Sequence, residues 1–333
     1  MKKEFVKKLG LLLLALMTGV FTVTAQERMR VVIDNDFAGD PDGLFALAQL
    51  ALSPSVEVRA VIGSHLHANE NWTAKGKPSA ATAVENAKAL LDGLGKDLVV
   101  VKGSEKPLND TLTPVSNAAT DVIIAEAMKC SEKKPLYVLC GGGLTEVASA
   151  WMLRPEIARR MVLVWIGGAE YPGFIAPPGG TRGEYNTTID IKASQVVFNR
   201  SDLAIWQIPR NAYRQCLVSR AMLRHRMEGS GRAVMALADK LDAYIGPGRP
   251  SDCYVLGDNP LVLVSALQSN WERDACSSAY SLRHCPLVDD RGVFHFNDHR
   301  RKIKVFDTMD TYLMFEDMFA KFQQTGPSSK PAP

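Results

Sequence analysis

Paired Cys-x-x-Cys spacing is absent from this chain, and its six cysteines (Cys130, Cys140, Cys216, Cys253, Cys276, Cys285) lie far apart. A zinc-binding or dithiol redox motif is therefore excluded. Charge of one sign is not in excess either: the formal net charge of +3 includes the N-terminal lysines, and nothing points to nucleic-acid binding. No apolar run beyond the N-terminus approaches the roughly 20 residues that a membrane-spanning helix needs. Gly141-Gly142-Gly143 lacks the G-x-G-x-x-G spacing of a dinucleotide-binding turn. Internal repeats and interdomain linkers are also missing, which favours one domain over residues 26–322.

What is present begins with Lys2, Lys3, Lys7 and Lys8, an apolar run from Leu9 to Val20, and the small-residue exit Val23-Thr24-Ala25. That layout is expected to be a cleavable signal peptide over residues 1–25, cut near Ala25, which sends the mature protein to the periplasm or outside the cell. No cysteine follows the run closely, which argues against a lipid anchor. In an oxidising compartment Cys276 and Cys285 form a local bridge or remain buried thiols; the sequence leaves both open. The C-terminal stretch 323–333 is rich in Pro, Ser and Gly and reads as disordered.

Between these ends, short Val/Ile/Leu runs alternate with helical patterns. Strands are expected at Arg30–Asp34, Val56–Ile62, Leu98–Lys102, Leu136–Cys140, Met161–Ile166 and Leu203–Gln207. Helices are expected at Gly43–Ala51, Ala80–Leu94, Asn117–Met128, Leu144–Met152 and Ala193–Phe198, then Arg220–Leu241 and Pro260–Gln268, with a β-like stretch from Gly292 to Phe306. The pattern predicts an α/β fold: a single domain with an open, mostly parallel, Rossmann-like sheet and helices on both faces. Ligands of such sheets bind beyond the carboxyl ends of the strands.

The first strand ends in Asp34-Asn35-Asp36-Phe37-Ala38-Gly39-Asp40-Pro41-Asp42-Gly43, with four carboxylates in nine residues. Uncompensated, these charges repel one another. A hard divalent cation with oxygen ligands removes the conflict, and calcium or magnesium is the natural candidate. Capping of the next helix accounts for Asp40 or Asp42, but not for Asp34 and Asp36 as well.

This segment resembles the aspartate signature of the inosine/uridine-preferring nucleoside hydrolase family, with Asp34, Asp36 and Asp42 at matching positions. Further motifs follow in order: the Leu98–Leu108 strand-to-loop segment, Gly142-Gly143-Leu144-Thr145-Glu146, Ile166-Gly167-Gly168, Glu184-Tyr185-Asn186 with Asp190, and Gly257-Asp258-Asn259-Pro260-Leu261. The resemblance covers Arg30 to about Phe315 and implies a nucleoside hydrolase-like fold. It also implies an enzyme that splits the N-glycosidic bond of a ribonucleoside, or related riboside, with a calcium-bound water. By the same resemblance Asp36 is metal ligand and general base, and Asp40, Asp42, Asp258 and the Thr145 carbonyl complete the ion's shell. Asp42, Glu184 and Asn186 bind ribose hydroxyls, and His67 lies near a sugar-binding position.

Three positions depart from the family pattern. Gly43 replaces a ligating aspartate, leaving Asp40 or Asp42 to compensate. Gly257 stands where some relatives carry a histidine that protonates the leaving base, and Pro178 where they carry a ribose-contacting asparagine. His65, His67 and Tyr254 are the candidates for the missing acid. Two rival readings are a phosphatase of the haloacid-dehalogenase type, built on Asp34-Asn35-Asp36, and a secreted riboside or sugar binder without efficient chemistry. The expected partner is a small-molecule nucleoside or riboside, not nucleic acid or a membrane; a homo-oligomer is left open.

Overall fold

The computed structural model describes residues 28–68, 76–177, 183–247, 251–269 and 278–327. The expected signal peptide, Pro178, Cys276 and residues 328–333 lie outside them.

Strand β1 (Met29–Asn35) occupies the middle of the sheet. Around it run β2 (Val56–Gly63), β3 (Val100–Lys102), β4 (Leu136–Cys140), β5 (Met161–Ile166) and β6 (Ala204–Ile208). Late in the chain β9 (Tyr280–His284) and β12 (Lys302–Phe306) complete an eight-stranded sheet of order β3-β2-β1-β4-β5-β6-β12-β9. All neighbours pair in parallel except β12 with β9, which closes one edge antiparallel. Two short ribbons lie apart: β7 (Leu217–Ser219) with β8 (Cys253–Val255), and β10 (Leu287–Val288) with β11 (Phe294–His295).

Strand side chains alternate between faces, and β1 shows what that does. Val31 and Ile33 join a core with helices α1 (Asp42–Ala51), α2 (Ser79–Gly93), α9 (Arg232–Ile245), α10 (Pro260–Ala266) and α11 (Thr311–Gln323). Val32 joins a second core with α3 (Ala118–Met128) and α4 (Thr145–Leu153). Both faces are thus covered, and each fully buried aliphatic side chain is worth roughly 1.5–3 kcal/mol.

Several expected elements differ in detail. The helix expected over Arg220–Leu241 is two, α8 (Arg220–Met227) and α9, because the chain turns at Gly229 with φ +84°, a region that glycine enters without steric cost. The short helix expected over Ala193–Phe198 is α6 (Ile191–Gln195) running into a π-helical turn at Val196–Arg200. The stretch Gly292–Phe306 holds two strands, β11 and β12, rather than one. The boundary placed after Phe322 falls later: α11 runs through Gln323, whose amide donates to the Glu228 carbonyl at 2.9 Å, and Thr325 Oγ1 accepts from Gly231 N at 2.8 Å.

Because the chain leaves β1 toward β3 and then crosses back to β4, the strand order reverses between β1 and β4. A crevice forms at such a switch point, at the carboxyl ends of the strands. Asp34 pairs with Cys140 in this register, and Gly141 N donates to the Asp34 carbonyl at 3.0 Å. The acidic segment after β1 and the glycines after β4 are therefore brought side by side.

Candidate active site

Alternation along β1 divides the acidic segment. Asp34 follows Val32 toward α4, where Glu146 is the charged neighbour it feels most. It is fully buried, with the Ser64 hydroxyl beside it opposing the effect of burial. Asn35 follows Ile33 toward α1. Asp36, just past the strand, feels Asp258 and Asp40 most strongly, and Gly142 passes close enough that a Cβ there would stand 3.4 Å from the Asp36 Cβ.

Asp258 arrives from the turn before α10. Its Oδ2 accepts from Asn35 Nδ2 at 2.8 Å, a bond that joins the end of β1 to a residue 223 positions later. Burial pushes the Asp258 carboxyl up to about 8, with Asp40 and Glu184 adding repulsion and the Asn35 bond opposing it. Asp36 and Asp42 are likewise held well above the ordinary carboxylate range, by burial first and then by Asp258 and Asp40. Asp34 is raised by burial and then by Glu146.

Asp40 and Asp42 have other attachments. Asp40 Oδ2 accepts the Tyr254 hydroxyl, and Asp42 Oδ1 accepts the amide of Gly43 at 2.7 Å in the first turn of α1. Asp42 still faces the site, since a Cβ on Gly257 would lie 3.3 Å from Asp42 Oδ2.

Glu184 caps α5 (Tyr185–Ile189). Its Oε2 accepts from Gly168 N at 2.8 Å and Thr187 N at 3.1 Å, and its Oε1 from the Tyr213 hydroxyl at 3.1 Å. Gly168 sits at φ +92°, and a side chain there would collide with Gln207 Nε2 at 2.2 Å, so the position needs glycine. Asn186 Nδ2 donates to the carbonyls of Ile166 at 2.8 Å and Gly141 at 3.2 Å, lacing β5 to β4. Glu184 and Asn186 are both largely buried here.

The structure thus gathers Asp36, Asp40, Asp42 and Asp258 into one electrostatic cluster, which Glu184 joins through Asp258. The Thr145 hydroxyl donates to Asp190 Oδ2 at 2.7 Å and meets His65 Nε2 at 3.0 Å, which leaves its main-chain carbonyl uninvolved in either bond. The backbone that abuts Asp258 is that of Gly141, where a Cβ would lie 2.8 Å from Asp258 Oδ2. His65 is buried, with Nδ1 also against the Leu66 carbonyl at 2.9 Å, and acts as a structural pin. His67 lies 6.5 Å from the Tyr185 ring, centroid to centroid. Two residues escaped the sequence reading. Tyr213 of α7 (Arg210–Tyr213) lies where a Cβ on Gly257 would meet its ring at 3.4 Å, and it follows β6 as site residues of such sheets do. Asn35 was overlooked between two aspartates.

The donors fit a hard cation in kind: all are oxygens, and Asn35 Oδ1, beside Asp258, is buried without a hydrogen-bond partner. They fall short in number. Among the described residues no three acidic, imidazole or thiol side chains converge closely enough to hold an ion, and Gly43 brings no carboxylate.

Carboxylates gathered at the switch point of a doubly wound sheet mark an α/β enzyme. Residues 31–314 match the inosine-uridine preferring nucleoside hydrolase family, and the chain belongs to it as an N-ribosyl hydrolase. Similar solved structures include a purine-preferring ribonucleoside hydrolase from Gardnerella vaginalis, with 20% identity, TM-score 0.71, and coverage of 89% of this chain and 98% of that one. A plant nucleoside hydrolase gives 17% identity, TM-score 0.70, and 89% and 99% coverage. An inosine-uridine preferring nucleoside hydrolase from Bacillus anthracis gives 17%, 0.67, 89% and 99%. At these identities the likeness shows the fold. The curated proteins contain no match. No helix among the described residues is long and apolar enough to cross a membrane.

Proposed function

We propose that this chain hydrolyses the N-glycosidic bond of a ribonucleoside or a related riboside, releasing free base and sugar, in the periplasm or outside the cell. The observation that carries the reading is the meeting of side chains from three separate segments in one largely buried cluster: Asp36 and Asp42 after β1, Asp258 before α10, and Glu184 at the cap of α5.

Asp36 takes the proton from the attacking water, at the centre of the acidic cluster, as a general base does. Asp42, Glu184 and Asn186 orient the sugar through its hydroxyls, with His67 at the rim. The water-poor crevice strengthens each of these contacts as positive charge develops on the sugar. Calcium, were Asp36, Asp40, Asp42 and Asp258 to draw together around it with a backbone carbonyl at Thr145 or Gly141, would supply charge that anchors a vicinal diol and acidifies water.

The test is release of reducing sugar from a panel of ribosides, with and without chelator, beside release of phosphate from p-nitrophenyl phosphate. Sugar release that chelator suppresses is the expected result. Phosphate release alone would move the chain to the phosphatase class, and riboside binding without turnover would make it a binder.

A further inference from the structure

Gly43 leaves the helix without the second acid of the family pattern, and the space is not vacant. Asn35 fills it. A Cβ built on Gly43 would stand 2.5 Å from Asn35 Oδ1, 2.9 Å from its Cγ and 3.0 Å from its Nδ2. A Cβ on Gly141 would meet the same carboxamide at 2.2 Å. Two glycines therefore make room for one amide, and a side chain at position 43 requires the Asn35 carboxamide to move. Between them the amide reaches Asp258, to which Nδ2 donates at 2.8 Å. Asn35 is 1% exposed, and its Oδ1 has no hydrogen-bond partner.

We propose that Asn35 replaces, through space, the carboxylate absent at Gly43, so that the partner of Asp258 in the cation site is a neutral carboxamide. The inference rests on the hydrolase reading only in taking the crevice as a cation site. A carboxamide has a donor and an acceptor related by a half-turn about its last bond. With Nδ2 toward Asp258, it satisfies that acid in the absence of an ion. With Oδ1 turned there, two oxygens face each other, an arrangement that only a cation between them makes favourable. Calcium affinity follows the number of charged ligands; exchanging a carboxylate for an amide therefore loosens the ion. This chain would bind calcium weakly and release it readily, without losing the shape of the site.

Calcium titration by calorimetry, without substrate, tests this on the mature wild type, Asn35→Ser, Gly43→Asp and the double variant, each checked for folding by circular dichroism. The double variant is expected to bind calcium at least about tenfold more tightly than wild type, since it regains a charged ligand. Asn35→Ser alone is expected to bind more weakly than wild type. Gly43→Asp alone is expected to gain nothing and to melt at lower temperature, because its side chain meets Asn35. Should Gly43→Asp fail to fold, the other two variants carry the test. Gly43→Asp matching the double variant, Asn35→Ser binding like wild type, or no calcium heat in any of the four would overturn the proposal. Riboside hydrolysis by wild type in chelator, measured separately, shows whether the hydrolase reading survives such a result.

Discussion

Asn259 Nδ2 donates to Gln49 Oε1 at 2.8 Å, fastening the first turn of α10 to the body of α1. Gln49 in turn donates to the Met314 carbonyl at 3.1 Å and to Asp317 Oδ2 at 2.8 Å on α11. Three helices thereby hold the turn that carries Asp258. Both amides are completely buried, and a buried polar group left unpaired costs about 1–3 kcal/mol. Asn259→Ala is expected to lower stability by that amount in urea titrations followed by circular dichroism. An unchanged midpoint would show that the link bears no strain.

Asp36→Asn is expected to lower kcat by at least about a hundredfold, the usual reach of a general base, while far-ultraviolet circular dichroism stays as in wild type. The amide keeps the shape and accepts no proton at this oxygen. A variant with more than a tenth of wild-type kcat would remove Asp36 from the proton transfer.

The raised carboxyls carry a pH signature. Asp258, at about 8, keeps a proton that the unfolded chain releases, and Asp34, Asp36 and Asp42 are shifted in the same direction. Between the unfolded carboxyl value near 4 and the folded value, the native state binds the extra proton, so stability is full at low pH and declines as pH rises. The limiting slope is about 1.4 kcal/mol per pH unit for each such group. Chelator-treated protein is therefore expected to melt at lower temperature near pH 8 than near pH 5, with Asp258→Asn flattening the difference. A melting temperature that climbs over this range would contradict the assignment.

Tyr213→Phe removes the hydroxyl that steadies Glu184 Oε1 at 3.1 Å. A single such bond is worth about 1 kcal/mol, so KM for a riboside is expected to rise about fivefold with little change in kcat. The reverse pattern, a large fall in kcat at constant KM, would instead identify Tyr213 as the donor to the leaving base.

Much of this arrangement was legible beforehand because strands buried on both faces announce themselves as Val/Ile/Leu runs: β1, β2, β4, β5 and β6 lie within about two residues of expectation. Elements that pack by one face were harder. In α11, Met314, Met318 and Phe322 recur every four residues behind an Asp310 cap, a helical signal passed over in the sequence. Within the site, single carboxylates were readable from the aspartate pattern, but Asn35 gains meaning only from its separation from Gly43 in space. The closeness of the Gly141 backbone to Asp258 likewise joins positions far apart in the chain and shows only in three dimensions.

Strands β6 and β12 lie next to each other in parallel, although the chain between them wanders through Tyr213, Tyr254 and Asp258 before it returns. That excursion leaves from the carboxyl end of β6, returns to the amino end of β12, and on the way supplies β9 at the edge of the same sheet. Asp36 thus stands on the frame of the sheet, whereas Tyr213, Tyr254 and Asp258 stand on this excursion, so the two sides of the acidic cluster meet only when both have folded.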